Sequence, residues 1–394
     1  MIEQVKKGSL MGQYVLGIVL AIYTYFFYFV LPTVTTIYDG ILNVTFMSFL
    51  IFIFVAAYFF TGNVKTYIKE QRHLLILLLV WFLVTFVGYY VKGIFIDQPQ
   101  YYAFLGRNFY YLSLMILFVA FVDRKAVDTI MVGMYAVYFL YGIKALPNLV
   151  QAQFFGGTAV ANKNVIGFFL VPFLAYMLVK MKKHKWWAIT WYAFGVILLY
   201  LTGARASLIA FFLLPAFIFS IKGFKNHLRL FYGVYLFLGM LAVLVITFMI
   251  YPNDPRINTF FTERVLLWNE YIRYVFETNA VLVGTGQAVL PDLLARIGLR
   301  ETLHPHNQFV TMFVFNGIIG LFFFILFIVL AVPRKITRLL PSDAVLFTIV
   351  TILLAEALIP LFDFFFLSFV FIINLLINRL LHSPEVKTSV ESNE

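Results

Sequence analysis

Between Met11 and Leu31 the chain carries no charged side chain at all. An apolar run of about 20 residues is the length that takes an α-helix across the hydrocarbon core of a bilayer. It is longer than the apolar part of a secretory leader, so no cleaved signal is expected. Comparable runs recur at 41–60, 74–91, 108–122, 127–143, 164–179, 186–202, 206–221, 229–251, 307–332, 344–359 and 361–378. The expected fold class is an all-α polytopic membrane protein with about twelve transmembrane helices. Composition agrees, with 63% hydrophobic and 12% charged residues, far from the roughly 45–50% apolar and 25% charged of soluble domains. Residues 1–394 read as a single integral membrane domain that ends in a polar tail at 380–394.

Orientation follows from the lysines and arginines, which collect on the cytoplasmic side. With the N-terminus inside and the spans alternating, most of the 29 fall on one side, in the clusters around Lys6, Lys65, Arg124, Lys182, Lys222, Arg334 and Arg379. Both termini are therefore expected in the cytoplasm. The formal charge of +11 then belongs to an anionic leaflet, and no nucleic-acid partner is expected. Cysteine is absent, which removes disulfides, thiolate metal sites and a cysteine nucleophile.

The same alternation leaves one long extracytoplasmic loop, 252–306. It opens on the turn cluster "YPNDPRIN" and continues into an amphipathic stretch, "TERVLLWNEYIRYVFETN". There Arg273 and Glu277 stand at i,i+4 spacing. "GTGQ" interrupts it, a second short helix is expected at "LPDLLARIG", and "HPHN" leads back into an apolar run. A loop of this length in a compact fold usually carries function.

Ionisable residues are missing from the depths of the first ten spans, and Glu356 and Asp363 stand near the outer ends of the last two. Proton- and ion-coupled carriers keep such residues at mid-membrane for their relays. The pattern therefore turns the expectation from transport toward chemistry at the outer surface. Four polar groups gather there: Asn162, Lys163 and Asn164 at span six, Arg205 in "LTGARAS", Arg264 one turn before Trp268, and His304, His306 and Asn307. Singly, each has an ordinary reading. A lone arginine anchors to headgroups, Asn307 suits a helix start, and the "GTGQ" glycines suit a tight turn. Those of "NGIIG" suit close helix packing. The two histidines have no third ligand beside them, so no metal is expected. Together the groups do more. Two guanidinium forks can grip a diphosphate, an imidazole can take a proton from an attacking hydroxyl, and apolar helices can floor an isoprenoid tail. That set suits transfer of a sugar from a polyprenyl diphosphate to a hydroxyl, with no cofactor.

The same stretches carry a resemblance. "GTAVANKNVIGFFLVPFLA", "LTGARASLIAF" and "ERVLLWNEYI…VGTGQ…HPHNQFVTMFVFNGIIGLFFF" resemble, in order and spacing, the O-antigen ligase and polysaccharide polymerase family of bacterial envelopes. The resemblance covers about residues 155–330. It implies a metal-independent glycosyltransferase of the bacterial inner membrane, with its active face outside and an undecaprenyl-diphosphate-linked oligosaccharide as donor. A glycan or lipid hydroxyl would be the acceptor, with membrane lipids and a chain-length regulator as partners. By motif, Arg205 and Arg264 would hold the diphosphate. His306 would act as base or acceptor-positioning group, with His304 in support. Asn307, Lys163, Asn164 and Arg107 would be further substrate contacts. The family often has Ser-Arg where this chain has Ala204-Arg205. Polymerase is the preferred activity and ligase the alternative; an exporter or a scaffold for envelope enzymes are the rivals from other classes.

Overall fold

The computed structural model describes residues 124–155, 163–254, 256–257, 261, 264–285 and 306–355, with 72, 76, 80, 378 and 382 as single positions. The first, second and fourth expected spans, nearly all of the third, most of the last, Arg107, His304 and the second loop helix lie outside the described residues. Among the described residues there are eight α-helices and no strand. They are α1 (Arg124–Val150), α2 (Lys163–Lys180), α3 (Lys185–Thr202), α4 (Arg205–Phe224), α5 (Leu228–Val245), α6 (Arg264–Glu277), α7 (Gln308–Ala331) and α8 (Pro341–Ala355).

Four stretches are long and apolar enough to cross a bilayer: Lys163–Lys183, Arg205–Phe224, Leu228–Ile250 and Gln308–Ala331. The runs at 164–179 and 206–221 come out longer as helices, because Lys163, Lys180, Arg205 and Lys222 extend them past the apolar stretch. At about 1.5 Å per residue the extra turns bring each to membrane thickness.

The bundle is organised around α2, against which α1, α3, α4 and α8 all pack. Leu170, Val171, Leu174 and Ala175 of α2 are fully buried. Rings bridge the other helices: Phe217 of α4 stacks on Phe347 of α8 at 4.2 Å, and Tyr192 of α3 on Phe211 of α4 at 5.4 Å. Trp191 Nε1 donates to the Leu174 carbonyl at 3.0 Å, so the indole satisfies a polar atom inside the packing. Outward the surface is equally apolar. Leu230, Val234, Phe237, Leu241 and Leu244 form an exposed stripe on α5. A helix that turns its apolar stripe away from the core reverses the pattern of a water-soluble helix. With the four long apolar helices, it marks a helical membrane protein.

One end of this bundle gathers the basic residues. Lys182 Nζ donates to the Leu339 carbonyl at 3.2 Å. Leu228 N donates to Arg334 O at 3.1 Å, and Ile336 N to Lys225 O at 2.8 Å. These bonds tie the α2–α3, α4–α5 and α7–α8 connections, with their lysines and arginines, into one face. Trp186 and Trp187 stand exposed beside it, as aromatic residues do at a membrane–water boundary.

Candidate functional site

The opposite end of the bundle carries the candidate residues. Arg205 opens α4 after a tight turn. Gly203 N donates to Tyr200 O at 3.0 Å. Thr202 Oγ1 donates to Leu199 O at 2.7 Å and accepts from Ala204 N at 3.2 Å. Ala204 and Ser207 are buried against Gly167 of α2, where an added Cβ would come within 2.9 Å of Ser207 Oγ. The two helices therefore begin side by side, which places Lys163, Asn164 and Arg205 at one end. Lys163 and Arg205 are exposed and Asn164 is half-buried.

Arg264 opens α6. Helical spacing turns Val265, Trp268, Tyr271, Ile272 and Val275 to one side, and all five are buried. They meet Val310, Val314 and Phe315 of α7 in a second hydrophobic core, separate from that of the bundle. Phe276 lies against Phe313 with ring centroids 6.2 Å apart. Asn269 Nδ2 donates to Thr247 O at 3.3 Å, tying α6 to the chain leaving α5. The expected Arg273–Glu277 pair forms at 3.6 Å on the exposed side, where it is worth at most about 0.5 kcal/mol. Upstream, Arg256 forks onto Asp254 at 2.9 and 3.1 Å; these hydrogen bonds hold the Asp254 carboxyl below the usual carboxylate range. Arg264 itself is half-buried, one turn before Trp268.

His306 precedes α7 with φ 52°, a left-handed conformation uncommon outside glycine. Asn307, extended and fully buried, accepts at Oδ1 from Phe309 N (3.0 Å) and Val310 N (3.1 Å). Its Nδ2 donates to Leu354 O at 2.6 Å, and its carbonyl accepts from Thr311 Oγ1 at 2.8 Å. The side chain is thus a cap on α7 and a clamp to α8, with one amide N–H left over for anything else.

Ten residues on, α7 breaks. Gly317 has φ 66° and ψ −169°, and residues 281–285 fill the gap. Ile318 N donates to Val281 O at 2.8 Å and Ile319 N to Leu282 O at 3.3 Å. Thr285 donates to Val314 O from N at 2.7 Å and from Oγ1 at 3.0 Å. An interrupted membrane helix needs such partners for its freed backbone groups. Gly284 is left-handed too (φ 73°); a Cβ on it would collide with the Phe315–Asn316 backbone, and one on Gly317 with Leu282. The apolar run expected at 307–332 is thus a helix of membrane length, Gln308–Ala331, interrupted at Gly317. Gly317 divides the helix, and Gly284 and Thr285 are seated in the division.

The upper arm of α7, 308–316, runs between Asn307, tied to Leu354 of α8, and the break at Gly317. From the linker 332–340, α8 climbs from Pro341 to Leu354 and the lower arm from Ala331 to Ile318. Each covers the same number of residues, about 20 Å. Asn307 is fastened to the top of one and Gly317 starts the other, while Phe309 reaches Phe324 at 5.5 Å. The upper arm carries His306 at one end and holds α6 along one side.

Two clusters result: Lys163, Asn164 and Arg205 on the paired starts of α2 and α4, and Arg264, His306 and Asn307 on the unit of α6 and the α7 upper arm. Both lie at the end away from the basic loops. Among the described residues no three histidine, cysteine or acidic side chains gather as metal ligands. Sequence reasoning passed over Gln308, whose fully buried side chain stands in this second cluster; its one signal was a polar residue directly after "HN" in an apolar run. The described residues define a mostly helical protein whose apolar helices are of membrane length. No family model matches the chain, and no curated protein matches it significantly.

Proposed function

We propose that this chain is a membrane glycosyltransferase that moves an undecaprenyl-diphosphate-linked oligosaccharide onto a glycan or lipid hydroxyl, as a polysaccharide polymerase of the bacterial inner membrane. In this reading about twelve helices span the bilayer, the basic end faces the cytoplasm and the other end holds the reaction. The observation that carries it is the shared core of α6 and the α7 upper arm, which joins the helix that Arg264 opens to the helix that follows His306. A guanidinium and an imidazole held on one unit suit a displacement that needs a charge stabiliser and a base close together.

The acceptor hydroxyl attacks the anomeric carbon of the donor sugar, and the bond from that carbon to the diphosphate oxygen breaks. His306 takes the hydroxyl proton. Arg264 and Arg205 stabilise the negative charge that grows on the departing diphosphate, which leaves as undecaprenyl diphosphate.

Gel ladders of envelope glycan from cells lacking the gene test this. Single repeat units on the final acceptor support polymerisation, whereas long chains stranded on the lipid carrier mean a ligase. An exporter is revealed if purified protein, given donor and acceptor extracted from the same cells, forms no new glycosidic bond.

A further inference from the structure

Gln308 is the first residue of α7, two places after His306, and its side chain is completely buried. Neither Nε2 nor Oε1 has a hydrogen-bond partner among the described residues. A buried carboxamide without partners is unfavourable, and nearly all buried polar groups in folded proteins avoid that state. The residues that follow, Phe309, Val310 and Met312, are apolar and packed, so methionine or leucine would fill this position without the penalty. Packing does not explain a glutamine here.

The chemistry of the position narrows what can meet it. The nearby amides of the helix start are already engaged: those of Phe309 and Val310 by Asn307 Oδ1, that of Thr311 by the Asn307 carbonyl. Besides one N–H of Asn307 Nδ2, what remains is a neutral carboxamide with donor and acceptor both unused. A diphosphate only accepts and would leave Oε1 unmatched, and a polyprenyl tail does neither. Sugars offer both functions on adjacent atoms.

We propose that Gln308 is a glycan-binding residue. Its carboxamide receives, through two hydrogen bonds, a sugar edge that both donates and accepts, either two neighbouring hydroxyls or a hydroxyl beside an acetamido carbonyl. This rests on the glycosyltransferase reading and divides the labour within it. The arginines take the leaving diphosphate, and Gln308 holds the reacting sugar beside His306. In a closed site that excludes water, such a pair of bonds discriminates strongly against sugars lacking the matching group.

The test is Gln308→Met in the full-length chain, expressed from its own locus. With the amide held by substrate rather than by the fold, the purified variant in lipid nanodiscs keeps or raises its Tm. Meanwhile glycan product falls by about tenfold or more, the scale of losing bonds to a buried partner, and lipid-linked precursor accumulates. A lowered Tm assigns the amide to the fold and overturns the proposal; so does normal glycan at normal Tm. Gln308→Glu separates the two sugar groups. A carboxylate accepts from two hydroxyls but cannot donate to an acetamido carbonyl, so retained product means the diol and lost product the acetamido group. Failure of the wider reading looks different, because deleting the whole gene would then leave glycan and its lipid-linked precursors unchanged.

Discussion

Gly284 and Gly317 meet backbone to backbone, both with left-handed φ (73° and 66°), at the seam where the loop enters the broken helix. Neither position tolerates a side chain, for different reasons that add. The backbone conformation disfavours any L-residue by about 1–2 kcal/mol, and the space a Cβ needs is filled by the facing chain. Gly317→Ala is therefore expected to destabilise the protein by at least about 2 kcal/mol and to detach α6 from the bundle. Limited proteolysis within 278–285 should accelerate. Gly133→Ala is the control, since nothing lies within 4 Å of an added Cβ there; it should be neutral or stabilise by up to about 1 kcal/mol.

Asn307 makes a second test, because its two amide atoms do different jobs. Asn307→Ala removes the cap and the bond to Leu354 O, a combined loss of about 2 kcal/mol. Asn307→Asp keeps the capping oxygen but sets a second oxygen against the Leu354 carbonyl. If the clamp matters, aspartate should melt no higher than alanine despite being a good cap. If only the cap matters, aspartate should match wild type.

How far these features were legible in the sequence depends on whether they are local. The helices over 163–183, 205–224 and 228–250 follow from apolar run length, and the start at Asn307 from capping preference; both are short-range properties. The break at Gly317 is not local. "NGIIG" alone is compatible with a straight helix packed closely on a neighbour. Only the arrival of residues 281–285, brought by the fold of the preceding loop, decides that the glycine adopts a left-handed φ. Gln308 was missed for a related reason. A polar residue at a helix start reads as solvent-facing, and its burial is set by packing that the local pattern does not encode. The assignment of Arg205, Arg264 and His306 came from residue chemistry and family resemblance, and their roles are for kinetics to decide.

Those roles separate by substitution. Arg264→Ala should lower the rate of glycan transfer by roughly 10²–10³, the scale of losing one preorganised charge stabiliser. Arg264→Lys should recover only part of it, since an ammonium keeps the charge without the fork. His306→Ala should cost about 10²–10⁴ through loss of proton transfer. Each is measured as product formed per folded protein. Near-normal rates in either alanine variant would remove that residue from the mechanism.

At the other end of the bundle, Asp343 supplies a prediction about stability alone. It is 2% exposed and accepts from Leu340 N at 2.7 Å, Asn378 Nδ2 at 2.7 Å and His382 Nε2 at 3.0 and 3.2 Å. The carboxylate thus fastens residues from the C-terminal part of the chain to the start of α8. Removing it leaves several buried donors without an acceptor, which is the costly way to break such a group. Asp343→Ala should destabilise by about 3 kcal/mol. Because the partners share one acceptor, His382→Ala combined with Asp343→Ala should cost less than the sum of the two, by about 1 kcal/mol or more. Activity per folded molecule should stay near wild type in all three, because α8 separates this cluster from His306 by about 20 Å of helix. A drop in turnover at unchanged folded fraction would instead couple the C-terminal clamp to the reaction.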